Sequence, residues 1–233
     1  MAIFLADNSP SSDPPADEAQ DARRRRDPEA TRQAILDAAQ ELFVCHGPAG
    51  TSLSAIAKKA DVTKSLIHHH FGSKEELWLA VEEYRFRAYF DIQRKMLLES
   101  DSTADLLRDS ITAYFRFLQS EPDSVRFLMW HMLEDEEQPC PNLEKELFEL
   151  GIEKIREAQD KGEIRSDLEP FFIIKSLLAL PMGWFQTRCM TQALIDSDIS
   201  AERLDEMYLE DMVKHFLEGV RPRPEDDSDP MAG

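Results

Sequence analysis

The sequence has little glycine and cysteine, and it lacks any long hydrophobic run. Eight glycines in 233 residues favour long helices over a turn-rich β structure. The three cysteines (Cys45, Cys140 and Cys189) are widely spaced without a CxxC pair, which argues against a disulfide framework or a zinc site and favours a reduced, cytoplasmic protein. No apolar run approaches ~18 residues, so the sequence predicts no membrane span, and the opening MAIFL is too short for a signal-peptide core.

Positive charge is also scarce, and what there is lies near the N-terminus. The net charge is −19. Residues 22–78 contain nine Lys/Arg against seven Asp/Glu, a balance of +2, whereas residues 1–21 carry −5 and residues 79–233 carry −16. An acidic body repels DNA unless the molecule docks head first. We therefore expect weak non-specific DNA binding with a steep dependence on salt.

Two short helical patterns lie on either side of a tight connection at Asp61-Val62. The first has an apolar face at i, i+3, i+4 and i+7, formed by Leu53, Ile56, Ala57 and Ala60. In the second, the side chains predicted to point inward are Val62, Leu66 and Ile67. The predicted helix starts carry a Ser or Thr cap: Thr51 or Ser52, then Thr63, then Ser73, which forms a capping box with Glu76. Two short helices with a polar outer face on the second indicate a helix-turn-helix.

The same residues resemble a known family. The pattern Gly47-x3-Thr51-Ser52-Leu53-x2-Ile56-Ala57-x2-Ala60-x-Val62-Thr63-x3-Ile67-x3-Phe71-x-Ser73-Lys74-x2-Leu77 is similar to the DNA-binding domain of TetR-type transcriptional regulators. It spans about thirty residues, and the remaining chain is much less similar. The resemblance implies an all-α protein with an N-terminal three-helix helix-turn-helix head and a C-terminal helical ligand-binding and dimerisation domain.

The second helix, Thr63 to His70, is the candidate recognition helix for the major groove. The residues predicted to contact DNA from the head are Thr51, Ser52, Thr63, Lys64, Ser65, His68, His69, His70 and Lys74. Lys64 and Ser65 are the leading candidates. The resemblance implies backbone contact for His69 and phosphate binding for Lys74, aided by the helix N-terminus. His68 and His70 depart from the family pattern, which usually has Tyr at one or both of these positions. Thr51 and Ser52 could instead serve only as caps.

The chain divides into four predicted regions. Residues 1–27 read as a disordered tail with a basic arm, in which Arg25 and Arg26 could contact DNA or form a solvated charge run. Residues 28–88 form the DNA-binding domain, with the helix-turn-helix at about 51–70. Its first helix starts at Asp27-Pro28 and ends at Gly47. Residues 89–220 form the ligand-binding and dimerisation domain, and residues 221–233 an acidic tail.

Within the body, a long helix from Lys74 towards Leu98 is predicted, with Leu77, Val81, Tyr84, Ala88 and Ile92 on its apolar side. The segment 134–141 is expected to be a loop, and Pro181 is expected to kink or interrupt its helix. Family resemblance implies a ligand pocket, for which the candidate lining is Phe115, Met129, Trp130, His131 and Trp184. The predicted dimer interface is a four-helix bundle, in which the helices Phe171–Met190 and Ala201–Leu217 pack against the same two helices of the other subunit.

These features favour a homodimeric, sequence-specific DNA-binding regulator. The expected partners are a double-stranded inverted-repeat operator and a small, largely apolar inducer. That the protein is a repressor, which the inducer releases from DNA, is implied by the family resemblance only. No nucleophile–base pair, P-loop or dinucleotide fingerprint occurs, so no catalytic site and no cofactor is predicted. Two alternatives stay open: a ligand-responsive interaction module that has lost strong DNA binding, and a helical metal enzyme using the histidines. Adjacent helical residues point about 100° apart, so His68, His69 and His70 cannot converge on one metal ion.

Overall fold

The computed structural model describes residues 28–100, 102–133, 142–195 and 198–223, and within these ranges the chain is helical without β strands. The helices, numbered in chain order, are α1 Pro28–Gly50, α2 Leu53–Ala60, α3 Lys64–Phe71, α4 Lys74–Glu99, α5 Thr103–Ser120, α6 Pro122–Leu133, α7 Asn142–Asp160, α8 Pro170–Leu194 and α9 Ala201–Val220. The all-α prediction is confirmed. None of these helices is long and apolar enough to cross a membrane.

Serine and threonine caps start the helices of the head as their sequence predicts. The side chains of Ser52, Thr63 and Ser73 each accept a hydrogen bond from the backbone amide three residues ahead. Glu76 completes the capping box, because its carboxylate accepts from the Ser73 amide at 2.7 Å. Ser102 caps α5 in the same way. These bonds satisfy amides that a helix N-terminus would otherwise leave without partners.

The regular part of the first helix ends at Gly47, as predicted. Gly47 has φ 69° and ψ 171°, and the chain resumes one helical turn to Gly50. A separate helical turn therefore follows the predicted end, and both lie within the bounds given for α1. Pro48 starts the resumed turn, a position where its missing N–H costs little.

One hydrophobic core joins the head to the body. Trp78 on α4 lies at its centre, with 1% of its surface exposed. Its ring meets Phe43 of α1 edge-on at a centroid distance of 5.0 Å and stacks on Phe127 of α6 at 3.9 Å. The small head thus gains part of its stability from packing against α6.

A second core joins α5, α8 and α9 around a buried carboxylate. Asp205, 2% exposed, accepts hydrogen bonds from Trp184 Nε1 at 2.7 Å, Arg188 at 2.8 Å and Gln119 at 3.1 Å. A charge this deeply buried is tolerated because it is paired and hydrogen-bonded. Helix α8 runs through Pro181 without interruption.

The buried face of α4 differs from the predicted one. Tyr84, Ala88 and Ile92 are exposed, so the prediction was wrong for these three residues, whereas Leu77 and Val81 are buried as predicted. The face that packs inward consists of Leu77, Trp78, Val81, Glu82, Phe86, Tyr89, Phe90 and Gln93. Because this face includes two polar residues, Glu82 and Gln93, a search for apolar residues alone follows the wrong side of α4 after Val81.

Several predicted segments lie outside the described residues. These are residues 1–27 with the basic arm, the loop at 134–141 and most of the acidic tail, 224–233.

Candidate functional site

Helices α2 and α3 form a helix-turn-helix whose turn depends on Asp61. This residue has φ 54° and ψ 46°, the left-handed conformation that Asp tolerates better than most side chains. The conformation closes α2 with a hydrogen bond from the Val62 amide to the Ala57 carbonyl oxygen at 3.0 Å. Thr63 then caps α3 at once, so only three residues separate the two helices.

The inward face of α3 consists of Ile67 and Phe71, which are one turn apart. Leu66 is 38% exposed, so its predicted inward position was wrong: it lies about 100° around the helix from Ile67. Lys64 and Ser65 are exposed, as their predicted outward face requires. The outer surface therefore presents one cation, hydroxyl groups and one apolar side chain, each of which can meet DNA.

Local hydrogen bonds order part of this surface. The Thr63 and Ser65 hydroxyl oxygens lie 2.9 Å apart. His68 Nδ1 lies 2.6 Å from the carbonyl oxygen of Gly72. Because a carbonyl only accepts, Nδ1 is the protonated nitrogen of that ring, and Nε2 is the atom that can meet an outside group.

The other two histidines stack edge-on rather than converge on a metal. The rings of His69 and His70 have centroids 5.5 Å apart and an interplanar angle of 72°. His69 is exposed and His70 half-buried. In the ranges that the structure describes, no group of three or more His, Cys, Asp or Glu is placed to hold a metal ion.

Three further residues predicted to contact DNA are bonded within the protein. Thr51 is 4% exposed, and its hydroxyl donates to the Leu42 carbonyl oxygen at 3.2 Å. Its predicted DNA contact was wrong, since the hydroxyl faces α1. Ser52 serves as the cap of α2. Lys74 is half-buried, and its Nζ donates to the Pro48 carbonyl oxygen at 2.9 Å. Arg25 and Arg26 lie outside the described residues.

A cavity of about 470 Å³ lies between α4, α5, α6, α7 and α8. Its volume suits a small organic ligand. The lining is mainly apolar and aromatic, with Phe86, Tyr89, Phe90, Tyr114, Phe148 and Met182 among its residues. Burial raises the pKa of Tyr89, and it raises the pKa of Tyr114 as well, so both phenols are neutral at physiological pH and can donate a hydrogen bond.

Of the five residues predicted to line the pocket, His131 does so and the other four lie elsewhere. Phe115 and Trp184 belong to the second core. Met129 is 41% exposed, and Trp130 packs against Gly47 and donates from Nε1 to the Val44 carbonyl oxygen at 3.2 Å. The prediction chose large side chains by type, whereas the lining depends on which face of each helix turns inward.

The cavity also contains a buried acidic residue that the sequence analysis missed. Glu82 is 4% exposed, and its Oε2 lies 3.4 Å from His131 Nδ1. The contact with Glu82 raises the pKa of His131, against an opposing effect of burial. The spacing Trp78-x3-Glu82-x3-Phe86 places a carboxylate on a face of aromatic residues, and that signal was present in the sequence.

The sequence matches two family descriptions. Residues 35–81 match "Bacterial regulatory proteins, tetR family", and residues 107–209 match "Tetracyclin repressor-like, C-terminal domain". The first match covers most of α1 to α3 and the start of α4. The second covers most of the body.

Similar proteins have regulatory names. An HTH-type transcriptional repressor of Streptomyces coelicolor is 29% identical over 161 residues, which are 68% of this chain and 80% of that protein. An HTH-type transcriptional repressor of Mycobacterium tuberculosis is 30% identical over 156 residues, 67% of this chain and 72% of that protein. The crystal structure of a TetR family transcription regulator from Marinobacter aquaeolei covers 86% of this chain and 100% of its own, with a TM-score of 0.65 and 19% identity.

Proposed function

The chain belongs to the tetR family of bacterial regulatory proteins, and from this premise we propose that it is a homodimeric repressor released from an inverted-repeat operator by a small, largely apolar ligand. Members of the family are DNA-binding transcriptional regulators, and so is this protein. We propose that the protein is a regulator and not an enzyme. We also propose that it acts in the cytoplasm, where the DNA that it binds lies. The observation that supports the proposal best is the exposed, capped face of α3 on a head packed against a body with a cavity.

The recognition surface consists of Lys64, Ser65, Leu66, His68 and His69. Lys64 supplies the charge for a phosphate or a guanine, Ser65 a hydroxyl and Leu66 an apolar contact for a thymine methyl group. The head carries only a slight positive balance, and the body is acidic. Affinity should therefore depend on a few well-placed contacts and on two heads acting together.

Helix α8 supplies the apolar surface for the proposed dimer. Its exposed residues include Phe172 at 65%, Met190 at 68% and Leu194 at 82%, which lie along one helix with Leu180 between them. A surface this apolar is unfavourable in water and is typical of a contact with another protein chain. Pairing α8 and α9 with their mates would cover it. Two-fold symmetry would then place one α3 in each of two major grooves, about one helical turn apart or a little more.

Ligand and DNA would communicate through α6. His131 lines the cavity, whereas Trp130, the preceding residue, packs on Gly47 at the end of α1. A ligand that binds more tightly to one position of α6 would favour one position of the DNA-binding head relative to the head of the other subunit. This is a population shift, and it needs a ligand with different affinities for the two conformers.

DNA binding can be tested by fluorescence anisotropy with DNA from upstream of the protein's own gene, at two salt concentrations. Lys64→Ala should weaken specific binding roughly tenfold or more and lower the salt slope by about one. Lys74→Ala is a poorer test, because Lys74 also holds the Pro48 carbonyl. Lys95→Ala, an exposed lysine near the C-terminal end of α4 and outside the proposed dimer surface, is the matched control and should change nothing. No salt-sensitive binding by the wild type would instead favour the interaction module.

The dimer can be tested by sedimentation at micromolar concentration. Met190→Glu places a charge in the apolar surface of α8 and should give monomers. Ile92→Glu makes the same type of change at an exposed residue of α4 and should leave the dimer intact. A wild-type protein that sediments as a stable monomer would contradict the proposed assembly.

A further inference from the structure

The cavity contains a buried carboxylate oxygen that makes no hydrogen bond. Glu82 Oε2 and His131 Nδ1 are buried, and neither has a hydrogen-bond partner. Their separation of 3.4 Å is within the range of an ion pair but longer than most N–H···O hydrogen bonds. His131 therefore leaves the carboxylate short of a donor, and a buried carboxylate without its full set of donors is costly.

Beyond His131, which shares this carboxylate, the surroundings of Glu82 suit a positively charged group. Glu144, from α7, lines the same cavity and adds to the negative potential there, since its charge also raises the pKa of His131. Phe86 and Tyr89 line the cavity one and two turns further along α4, and aromatic rings attract cations. Residues 79–233 carry −16, so the body as a whole also attracts cations.

Lys154 and Lys175 line the cavity, and Lys175 lies towards the end away from His131. Gln186 on α8 donates to Met132 Sδ at 3.6 Å, beside His131. Lys175 precedes Gln186 by eleven residues, about 16 Å along the helix, and its Nζ lies 5.9 Å from the centre of the Phe148 ring. Lys154 is 3.8 Å from Glu157. A cation beside Glu82 would thus be far from Lys175.

We propose that the cavity binds a largely apolar small molecule carrying one protonated nitrogen, and that Glu82 is the carboxylate that pairs with this nitrogen. The apolar part of the ligand lies along Phe86, Tyr89 and Phe90 towards the far end of the cavity. An N–H of the ligand supplies the donor that Oε2 lacks. The inference rests on the proposed function of the cavity as the ligand site, and it specifies the chemistry of that ligand.

The test compares three ten-carbon ligands that differ only in their head group: decylamine, decan-1-ol and decanoate. Isothermal titration calorimetry of the full-length protein, at neutral pH and below micelle formation, gives the affinity of each. For the wild type we expect decylamine, which is protonated under these conditions, to bind roughly 10- to 100-fold more tightly than decan-1-ol. Decanoate should bind most weakly.

Glu82→Gln keeps the shape of the side chain and removes its charge. It should reduce the affinity for decylamine to that for decan-1-ol, while the affinity for decan-1-ol stays the same. Glu83→Gln removes the same charge one residue further along α4, where Glu83 pairs with Arg87 at 2.6 Å and does not line the cavity. This control should leave all three affinities unchanged.

The outcomes separate this inference from the proposed function. A wild type that binds decanoate or decan-1-ol as tightly as decylamine would overturn the inference even if Glu82→Gln failed to fold, and would leave the cavity a ligand site. A preference for decylamine that survives Glu82→Gln would overturn it as well. Binding of none of the three ligands would contradict the cavity as the ligand site and the inference with it.

Discussion

Adding one methyl group at Gly47 tests the contact between head and body. Gly47 has φ 69° and ψ 171°, a conformation open almost only to glycine. A Cβ built at this position would lie 2.8 and 2.9 Å from two carbon atoms of the Trp130 ring. That ring is held by the hydrogen bond from Nε1 to the Val44 carbonyl oxygen, so it cannot move away without losing a bond.

The expected loss of unfolding free energy in Gly47→Ala is the sum of two separate costs. The unfavourable backbone conformation costs about 1–3 kcal/mol, and overpacking against a held ring costs about 1–3 kcal/mol more. Their sum, about 2–6 kcal/mol, is a large part of the ~5–15 kcal/mol that a typical protein has in total.

Two control variants separate these costs. Gly162 has φ 70° and nothing within 4 Å of a built Cβ, so Gly162→Ala has only the backbone cost, about 1–3 kcal/mol. Gly219 lies in α9 without a positive φ and with open space around it. Gly219→Ala should therefore stabilise the protein by about 0.5–1 kcal/mol, since alanine is the better helix former.

The assay is urea unfolding followed by circular dichroism for the wild type and the three variants. We expect the loss of unfolding free energy to be largest for Gly47→Ala, smaller for Gly162→Ala and reversed for Gly219→Ala. Equal losses for Gly47→Ala and Gly162→Ala would refute the claim that the Trp130 ring restrains the end of α1.

Three other variants test a buried ion pair, a buried hydrogen bond and a cap. Because Glu82 raises the pKa of His131 above its ordinary 6.5, the protonated ring stabilises the fold below about pH 6.5, and this contribution is lost as the pH rises through the raised pKa. His131→Gln should accordingly lower the thermal midpoint at about pH 6 much more than at about pH 9, and an equal loss at both would contradict the pairing. Trp184→Phe removes one donor from Asp205 and should cost about 1–3 kcal/mol in urea unfolding; an unchanged midpoint would show that the bond contributes nothing. Ser102→Ala removes the cap of α5 and should cost about 1 kcal/mol, measured the same way against Ser102→Thr, which keeps the hydroxyl.

The helix-turn-helix could be predicted from sequence because its signals are local. A cap such as Thr63 bonds an amide three residues away, and the same spacing is visible in the sequence. The inward positions Ile56, Ala57 and Ala60 follow from helical periodicity alone. The turn at Asp61 follows from one residue type that tolerates a left-handed conformation.

Predictions that depended on distant contacts failed. Leu66 has the residue type of a core side chain, but the neighbouring face of α3, with Ile67 and Phe71, packs into the core instead. Thr51 has the chemistry of a phosphate ligand, but its hydroxyl meets the Leu42 carbonyl nine residues away. Glu82 was missed because a carboxylate in a buried stripe reads as a break in the pattern until the other helices enclose it. In each case the deciding partner lies on another helix. The spacing of Glu82 between Trp78 and Phe86 shows that it shares their face, but it does not show that other helices enclose that face.

A single contact between the ligand and Glu82 is too weak to release the protein from DNA. Changing a 1:99 equilibrium between two conformers to 99:1 takes about 5.5 kcal/mol of preference for one of them. A hydrogen bond to a charged group contributes about 1.5–3 kcal/mol, so the contact with Glu82 alone cannot supply it. The remainder has to come from apolar surface that the ligand buries in only one conformer. Helix α6 is the place for this difference, since Leu128, His131 and Met132 line the cavity while Trp130 restrains α1.

A charged head group without an apolar body should accordingly bind beside Glu82 and leave the operator occupied. This can be tested by comparing the release of operator DNA by methylammonium with its release by decylamine. Equal release by the two compounds would contradict the argument.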